Sequence, residues 1–219
     1  MQIIILGNGN AGSFIYQYLK NFYNKESINV INFTRKDIDA INVDVDFLKS
    51  NINEDDIVIN CIGVLKPNIK KVGELNTYKI NSLFPNIVHN ICLGKSAHFI
   101  HICSDCVYKG DIGNYTEDVP PDATDIYAQS KIMVNKGIIL RTSFIGSRGG
   151  LMKWVLDNRD KEIDGYENCL WNGITTLELA KRIQEIIEYK NFWTGVRHLH
   201  SPKTVSKYEL CCLINEIYN

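Results

Sequence analysis

The chain has 219 residues, 45% of them hydrophobic, enough for one large domain or a domain with a small appendage. Its 24 Lys+Arg against 25 Asp+Glu leave a net charge of -1, which gives no electrostatic footprint for nucleic acid. The apolar run "IIILG" near the start is far too short for a membrane span or a signal core, and the seven cysteines are odd in number and sit mostly in apolar surroundings. Reduced thiols in a cytoplasmic protein are therefore expected.

In chain order, "QIIIL" (Gln2–Leu6) is a continuous apolar run ended by glycine, as suits a strand buried on both faces. Phe14, Ile15, Tyr18, Leu19 and Phe22 then recur at helical spacing between Ala11 and Tyr23. A second strand is predicted over Ile28–Phe33, a short helix near Phe47–Asn51 and a third strand over Asp56–Gly63. One long helix is predicted from Glu74 to Leu93, followed by strands over His98–Ser104 and Gly137–Ser143. Strands separated by helical stretches of about 10–15 residues imply βαβ units and a parallel sheet covered on both faces. The expected fold is α/β, a Rossmann-type doubly wound parallel sheet over 1–145.

From Gly146 the composition changes. Helices are predicted at Leu151–Asn158, Thr175–Tyr189 and Ser206–Tyr218, with a short strand at "VRHLH" (Val196–His200). Ser206 and Glu209 have capping-box spacing. This tail, 146–219, is too small for an independent core and is expected to pack as a mainly helical substrate-binding region on the carboxyl edge of the sheet.

Two constellations carry chemistry. In "ILGNGNAGSFI", Gly7, Gly9 and Gly12 stand in G-x-G-x-x-G order between a strand and a helix. Glycines there permit a tight turn and close approach of a pyrophosphate to the helix N-terminus, so Gly7, Asn8, Gly9, Asn10, Ala11 and Gly12 are candidate cofactor contacts. The second strand ends in "NFTRK", with no carboxylate at its tip and two cations, Arg35 and Lys36, just beyond. That suits a 2′-phosphate and favours NADPH, with NADH the alternative.

The second constellation is "DIYAQSK". Tyr127 and Lys131 lie one helical turn apart on one face. A phenol with a pKa near ~10 is a poor acid–base group at neutral pH. A nearby ammonium favours the phenolate and is expected to lower that value. Ser104, in "HICSDCVY", falls at the end of a predicted central strand, where doubly wound sheets place their ligands, and could hold a carbonyl oxygen beside the phenol.

The glycine loop, "VINCIG", "HICSDCVY", "YTEDVPPDATDIYAQSK" and "LRTSFIG" follow one another as in extended short-chain dehydrogenases/reductases. With "WNGITTLELAKRI" and "GVRHLHSPKTVSKYEL", nearly the whole chain resembles the dTDP-4-dehydrorhamnose reductase family, which reduces nucleotide-linked 4-keto-6-deoxy sugars. The resemblance implies Tyr127 as proton donor, Lys131 as its tuning cation and Ser104 as the group orienting the carbonyl. It also implies Asn60, Cys61, Ile62 and Gly63 along the cofactor, Thr142 and Ser143 beside the nicotinamide, and a homodimer through the helices flanking the site.

The loop departs from the family's usual G-x-x-G-x-x-G, with Ser13 where the last glycine would fall. Nine residues separate Lys131 from Arg141, so the helix after the active site is short. A non-catalytic cofactor-binding subunit is the contrasting expectation. Cys106, two residues after Ser104, would project to the same side of a continuing strand. Some epimerising relatives carry a cysteine at the matching place, which makes Cys106 a candidate acid–base group with Lys153 as partner. His198 and His200, and Trp154, Trp171 and Trp193, read more simply as packing residues. No paired histidine spacing supports a metal site.

Overall fold

The structure is a computed structural model and describes residues 1–24 and 28–218. The first half alternates β1 (Gln2–Leu6), α1 (Asn10–Phe22), β2 (Asn29–Phe33), α2 (Val45–Asn51) and β3 (Ile57–Asn60). Short α3 (Ile69–Val72) and α4 (Glu74–Tyr78), a π-helical turn (Lys79–Leu83) and α5 (Phe84–Gly94) lead to β4 (His98–Ser104). Then come α6 (Ile126–Ile132), β5 (Ile138–Thr142), β6 (Phe144–Ile145), α7 (Gly150–Asp157), β7 (Leu170–Trp171) and β8 (Ile174–Thr175). The chain finishes with α8 (Thr176–Glu188), β9 (Gly195–Leu199), β10 (Val205–Ser206) and α9 (Lys207–Tyr218).

Six strands form one parallel sheet in the order β2-β1-β3-β4-β5-β9. The order reverses between β1 and β3, and such a switch point opens a crevice at the carboxyl ends of the strands. Alternation within the apolar runs explains the two faces. Ile3, Ile5, Ile57, Ile59, Ile100 and Leu140 pack against Ile15 and Leu19 of α1 and Leu179, Ile183 and Ile187 of α8. Ile4, Leu6, Val58 and Phe99 face Leu48 of α2 and Phe84, Val88 and Ile91 of α5. Each fully buried isoleucine contributes about 1.5–3 kcal/mol relative to exposure, so this doubly covered sheet is the main stabilising element.

Two elements of 146–219 join the main sheet and its core. β9 pairs with β5 from Ile138↔Gly195 to Thr142↔Leu199, and α8 lies against the sheet beside α1. The apolar residues of both are spent on the main core. A separate small cluster, Met152 and Val155 of α7 with Leu210, Cys211 and Ile214 of α9, is joined by the antiparallel β7–β10 pair. The Ser206 capping box forms in both directions: Ser206 N–H donates to Glu209 Oε2 at 2.6 Å and Glu209 N–H to Ser206 Oγ at 3.0 Å.

The predicted single helix over 74–93 is likewise broken by the π turn at Lys79–Leu83. Asn81 in that turn is fully buried, which re-aims its side chain toward the site.

Candidate active site

At the end of β1, Gly7 has φ +96°, in the left-handed region where a side chain is strained. Gly12 sits so close that an added Cβ would overlap the Gly7 carbonyl oxygen, while one on Gly7 would meet Ile62 Cγ1 at 2.9 Å. Asn32 of β2 fixes the turn by donating from Nδ2 to the carbonyls of Ile5 and Gly7, both at 2.9 Å. Ser13, in place of a glycine, donates its hydroxyl to the Gly9 carbonyl at 2.7 Å, so the departure is absorbed inside the first turn of α1. No side chain caps α1 and no acid stands in its first turn. A bare helix N-terminus behind a glycine cradle fits the pyrophosphate of a dinucleotide.

Beyond β2, Arg35 and Lys36 are exposed and enter none of the ion pairs among the described residues. Asp37 is the nearest acid, but its carboxylate turns back to accept from Thr34 N–H at 2.8 Å and Thr34 Oγ at 2.9 Å. Lys36 and Arg35 act electrostatically on Asp37 and Asp39, so the loop carries both signs, with neither cation held in an ion pair among the described residues.

β3 ends in Asn60, whose Oδ1 accepts from the Ile62 N–H at 3.1 Å. The neighbouring Gly63 leaves room for Lys131, since a Cβ there would stand 2.7 Å from its Nζ. Asn81 ties this loop to α6. It accepts from Val64 N–H at 2.7 Å and donates to Val64 O at 3.1 Å and to Ser130 Oγ at 3.0 Å. Ser82 donates to the Ser130 carbonyl at 2.6 Å. These bonds set the depth of α6, which carries Tyr127 and Lys131, both buried. Asp125 caps that helix by accepting from Ala128 N–H at 3.1 Å.

Ser104 closes β4 in register with Thr142 of β5. Ser104 beside the Tyr127 phenol draws its pKa down, but burial outweighs it and pushes the pKa above the usual tyrosine value. Burial also holds Lys131 below its ordinary range, with the Cys103 and Cys61 thiols opposing. The expected depression of Tyr127 by Lys131 is thus not realised by the protein alone, because the ammonium is directed to Gly63 and the phenol is buried. Thr142 reaches the crevice edge, with its hydroxyl donated to the Leu199 carbonyl at 2.7 Å.

Cys106 is exposed and lies beyond the strand, in a 3-10 turn (Asp105–Val107), so strand alternation does not place it. It still neighbours the phenol, and its N–H donates to Ser104 Oγ at 3.1 Å. Burial and Asp105 push its thiol pKa up. Lys153 does not serve it: the exposed ammonium pairs with Asp157 at 2.6 Å. The cation whose field does reach Cys106 is Lys66. Cys61, half-buried at the start of the loop, has its thiol pKa pushed up to about 12 by desolvation of the sulfur.

His198 lies against Tyr108 Oη and Arg141 Nη1, at 3.4 and 3.5 Å, and its N–H donates to Glu117 at 2.8 Å, a packing role. Trp171 donates to Ser143 Oγ at 2.7 Å. Sequence reasoning missed Lys66, Asn81 and His101. The helical apolar rhythm runs through Asn81 without a sign of the π turn.

These features define a Rossmann-type doubly wound α/β protein with a glycine loop and a Ser–Tyr–Lys crevice. Beyond that class, the chain belongs to the RmlD substrate binding domain family, which matches residues 1–219. It is 29% identical over 94 residues to a dTDP-4-dehydrorhamnose reductase of Mycobacterium tuberculosis, a stretch covering 40% of this chain and 31% of the length of that relative. A dTDP-4-dehydrorhamnose reductase structure from Bacillus anthracis, in complex with NADP, superposes with TM-score 0.84 at 24% identity, covering 99% of this chain and 80% of that one. One from Clostridium acetobutylicum gives TM-score 0.84 at 22% identity, with the same coverage of 99% and 80%. An ADP-L-glycero-D-manno-heptose-6-epimerase from Helicobacter pylori gives 0.83 at 16%, covering 98% and 81%.

Proposed function

We propose that the protein is an NADPH-dependent reductase of the C4 ketone of a nucleotide-linked 4-keto-6-deoxy sugar, carried by UDP or dTDP. Family membership supports this reading, as do the reductases it resembles, one of them bound to NADP. The observation that carries it is the buried Tyr127 phenol beside Ser104 at the carboxyl edge, with buried Lys131 one turn on.

Gly7 to Gly12 and the bare α1 N-terminus would hold the pyrophosphate, Arg35 and Lys36 the 2′-phosphate, and the Cys61–Gly63 loop the adjoining ribose. A reduced nicotinamide, when bound, supplies a hydride to the carbonyl carbon. Ser104 orients the carbonyl oxygen, and Tyr127, kept protonated by burial, donates its proton to that oxygen. Lys131 places a positive charge behind the Cys61–Gly63 loop. NADPH absorbance is followed with a panel of 4-keto sugar nucleotides. Loss of absorbance that vanishes in Tyr127→Phe supports the assignment, and turnover surviving in that variant removes it.

The Cys106 thiol beside Ser104 favours one second reading, an added epimerase activity at a carbon next to the ketone. Because the thiol pKa is raised, Cys106 would act as the protonated partner. Deuterium entering C3 or C5 in heavy water, lost in Cys106→Ser, tests it.

A further inference from the structure

The ribbon after β3 crosses the first turn of α6. Its Lys66 stands in a 3-10 turn (Lys66–Asn68), and its Nζ donates to Asp125 Oδ2 at 2.9 Å. The same Nζ lies 5.8 Å from the centroid of the Tyr127 ring. Lys66 also acts electrostatically on Cys106, the exposed thiol next to Ser104. Half of its side chain is open to solvent, 51%, although it faces the buried Tyr127 ring.

Two lysines thus flank Tyr127 in different settings. Lys131 is buried against Gly63. Lys66 is on the solvent side, with its Nζ over the Tyr127 ring. A surface ion pair of this exposure contributes only about 0–1 kcal/mol to the fold, so Lys66 can exchange Asp125 for another acceptor at little cost.

We propose that Lys66 is a substrate-binding residue of the crevice, held ready by Asp125 over Tyr127 and beside Cys106, where it donates a charge-assisted hydrogen bond to an oxygen of the incoming sugar nucleotide. This rests on the reductase reading for its substrate class, but its test does not depend on turnover. Asp125 serves a double purpose, since it caps α6 and holds the lysine over the Tyr127 ring until the ligand arrives. The exchange is acid–base neutral and no covalent bond changes.

The probe is dTDP-glucose, whose affinity is measured by calorimetry for the unmodified chain, Lys66→Gln and Lys66→Arg. Loss of a hydrogen bond to a charged group weakens Lys66→Gln by about tenfold or more, with Lys66→Arg retaining most of the affinity. The thermal midpoint stays in place in both, because the pair is exposed. In turnover with a 4-keto sugar nucleotide, Lys66→Gln raises KM more than it lowers kcat. Peptide-resolved alkylation of Cys106 by iodoacetamide gives a second readout: its pH midpoint moves up in Lys66→Gln and not in Lys66→Arg. Equal dTDP-glucose affinity in all three proteins, or no binding by the unmodified chain, overturns the proposal. Lysine-dependent binding without any ketone reduction keeps Lys66 in its role and removes the reductase reading.

Discussion

Asn60 Nδ2 donates to His101 Nδ1 at 3.0 Å, across the adjacent parallel strands β3 and β4, deep beneath the crevice. The direction follows from the other end of the amide, where Oδ1 accepts from Ile62 N–H. With Nδ1 accepting, the neutral imidazole carries its proton on Nε2. Burial and the Lys131 charge hold His101 well below the ordinary histidine pKa of 6.5. Burial lowers His98 and His198 too.

This predicts an acid-labile fold. The unfolded chain binds protons at these histidines as pH falls through 6.5 while the folded chain does not, so the stability they contribute is present above 6.5 and is lost below it. One histidine gives a slope of at most about 1.4 kcal/mol per pH unit. Urea unfolding between pH 7.5 and 5 should show the decline, with a shallower slope in His101→Gln. An unchanged slope in that variant would mean His101 titrates normally.

Tyr127→Phe keeps the buried ring and removes the proton. Ketone reduction should fall by roughly 10²–10⁴-fold, with NADPH affinity nearly intact by fluorescence titration.

Gly12 and Gly9 should respond oppositely to alanine. A Cβ on Gly12 overlaps the Gly7 carbonyl, so Gly12→Ala should destabilise by about 1–3 kcal/mol and abolish dinucleotide binding. Nothing stands within 4 Å of a Cβ on Gly9, so thermal melting of Gly9→Ala should match the parent.

Arg35→Ala should weaken NADPH binding about tenfold or more and leave NADH binding alone, because only the former carries the 2′-phosphate. Equal losses for both cofactors would place Arg35 elsewhere.

In the core, Ile183 is fully buried between α8 and the sheet. Ile183→Ala should cost about 2–5 kcal/mol by denaturant titration.

The doubly wound sheet was legible because its strands are apolar on both faces: Gln2–Leu6 and His98–Ser104 match their predicted limits. The glycine turn was legible because it needs few residues at fixed spacing. What stayed hidden depends on distance. Val196 and Leu199 read as a short strand, but only pairing with β5 shows that strand to be the sheet's sixth. The cation beside Cys106 was sought at Lys153, nearer the tail, whereas a loop after β3 brings Lys66 there. The direction in which Lys131 points is likewise set by Gly63 and Asn81, far from "DIYAQSK" in sequence.

The pairing of β9 with β5 has a consequence for how the chain matures. Until Gly195–Leu199 leaves the ribosome, Ile138–Thr142 has backbone groups with no neighbour on one flank, an adhesive border that invites other nascent chains. Synthesis halted before β9 should therefore yield aggregates, and a peptide spanning β9 added in trans should suppress them.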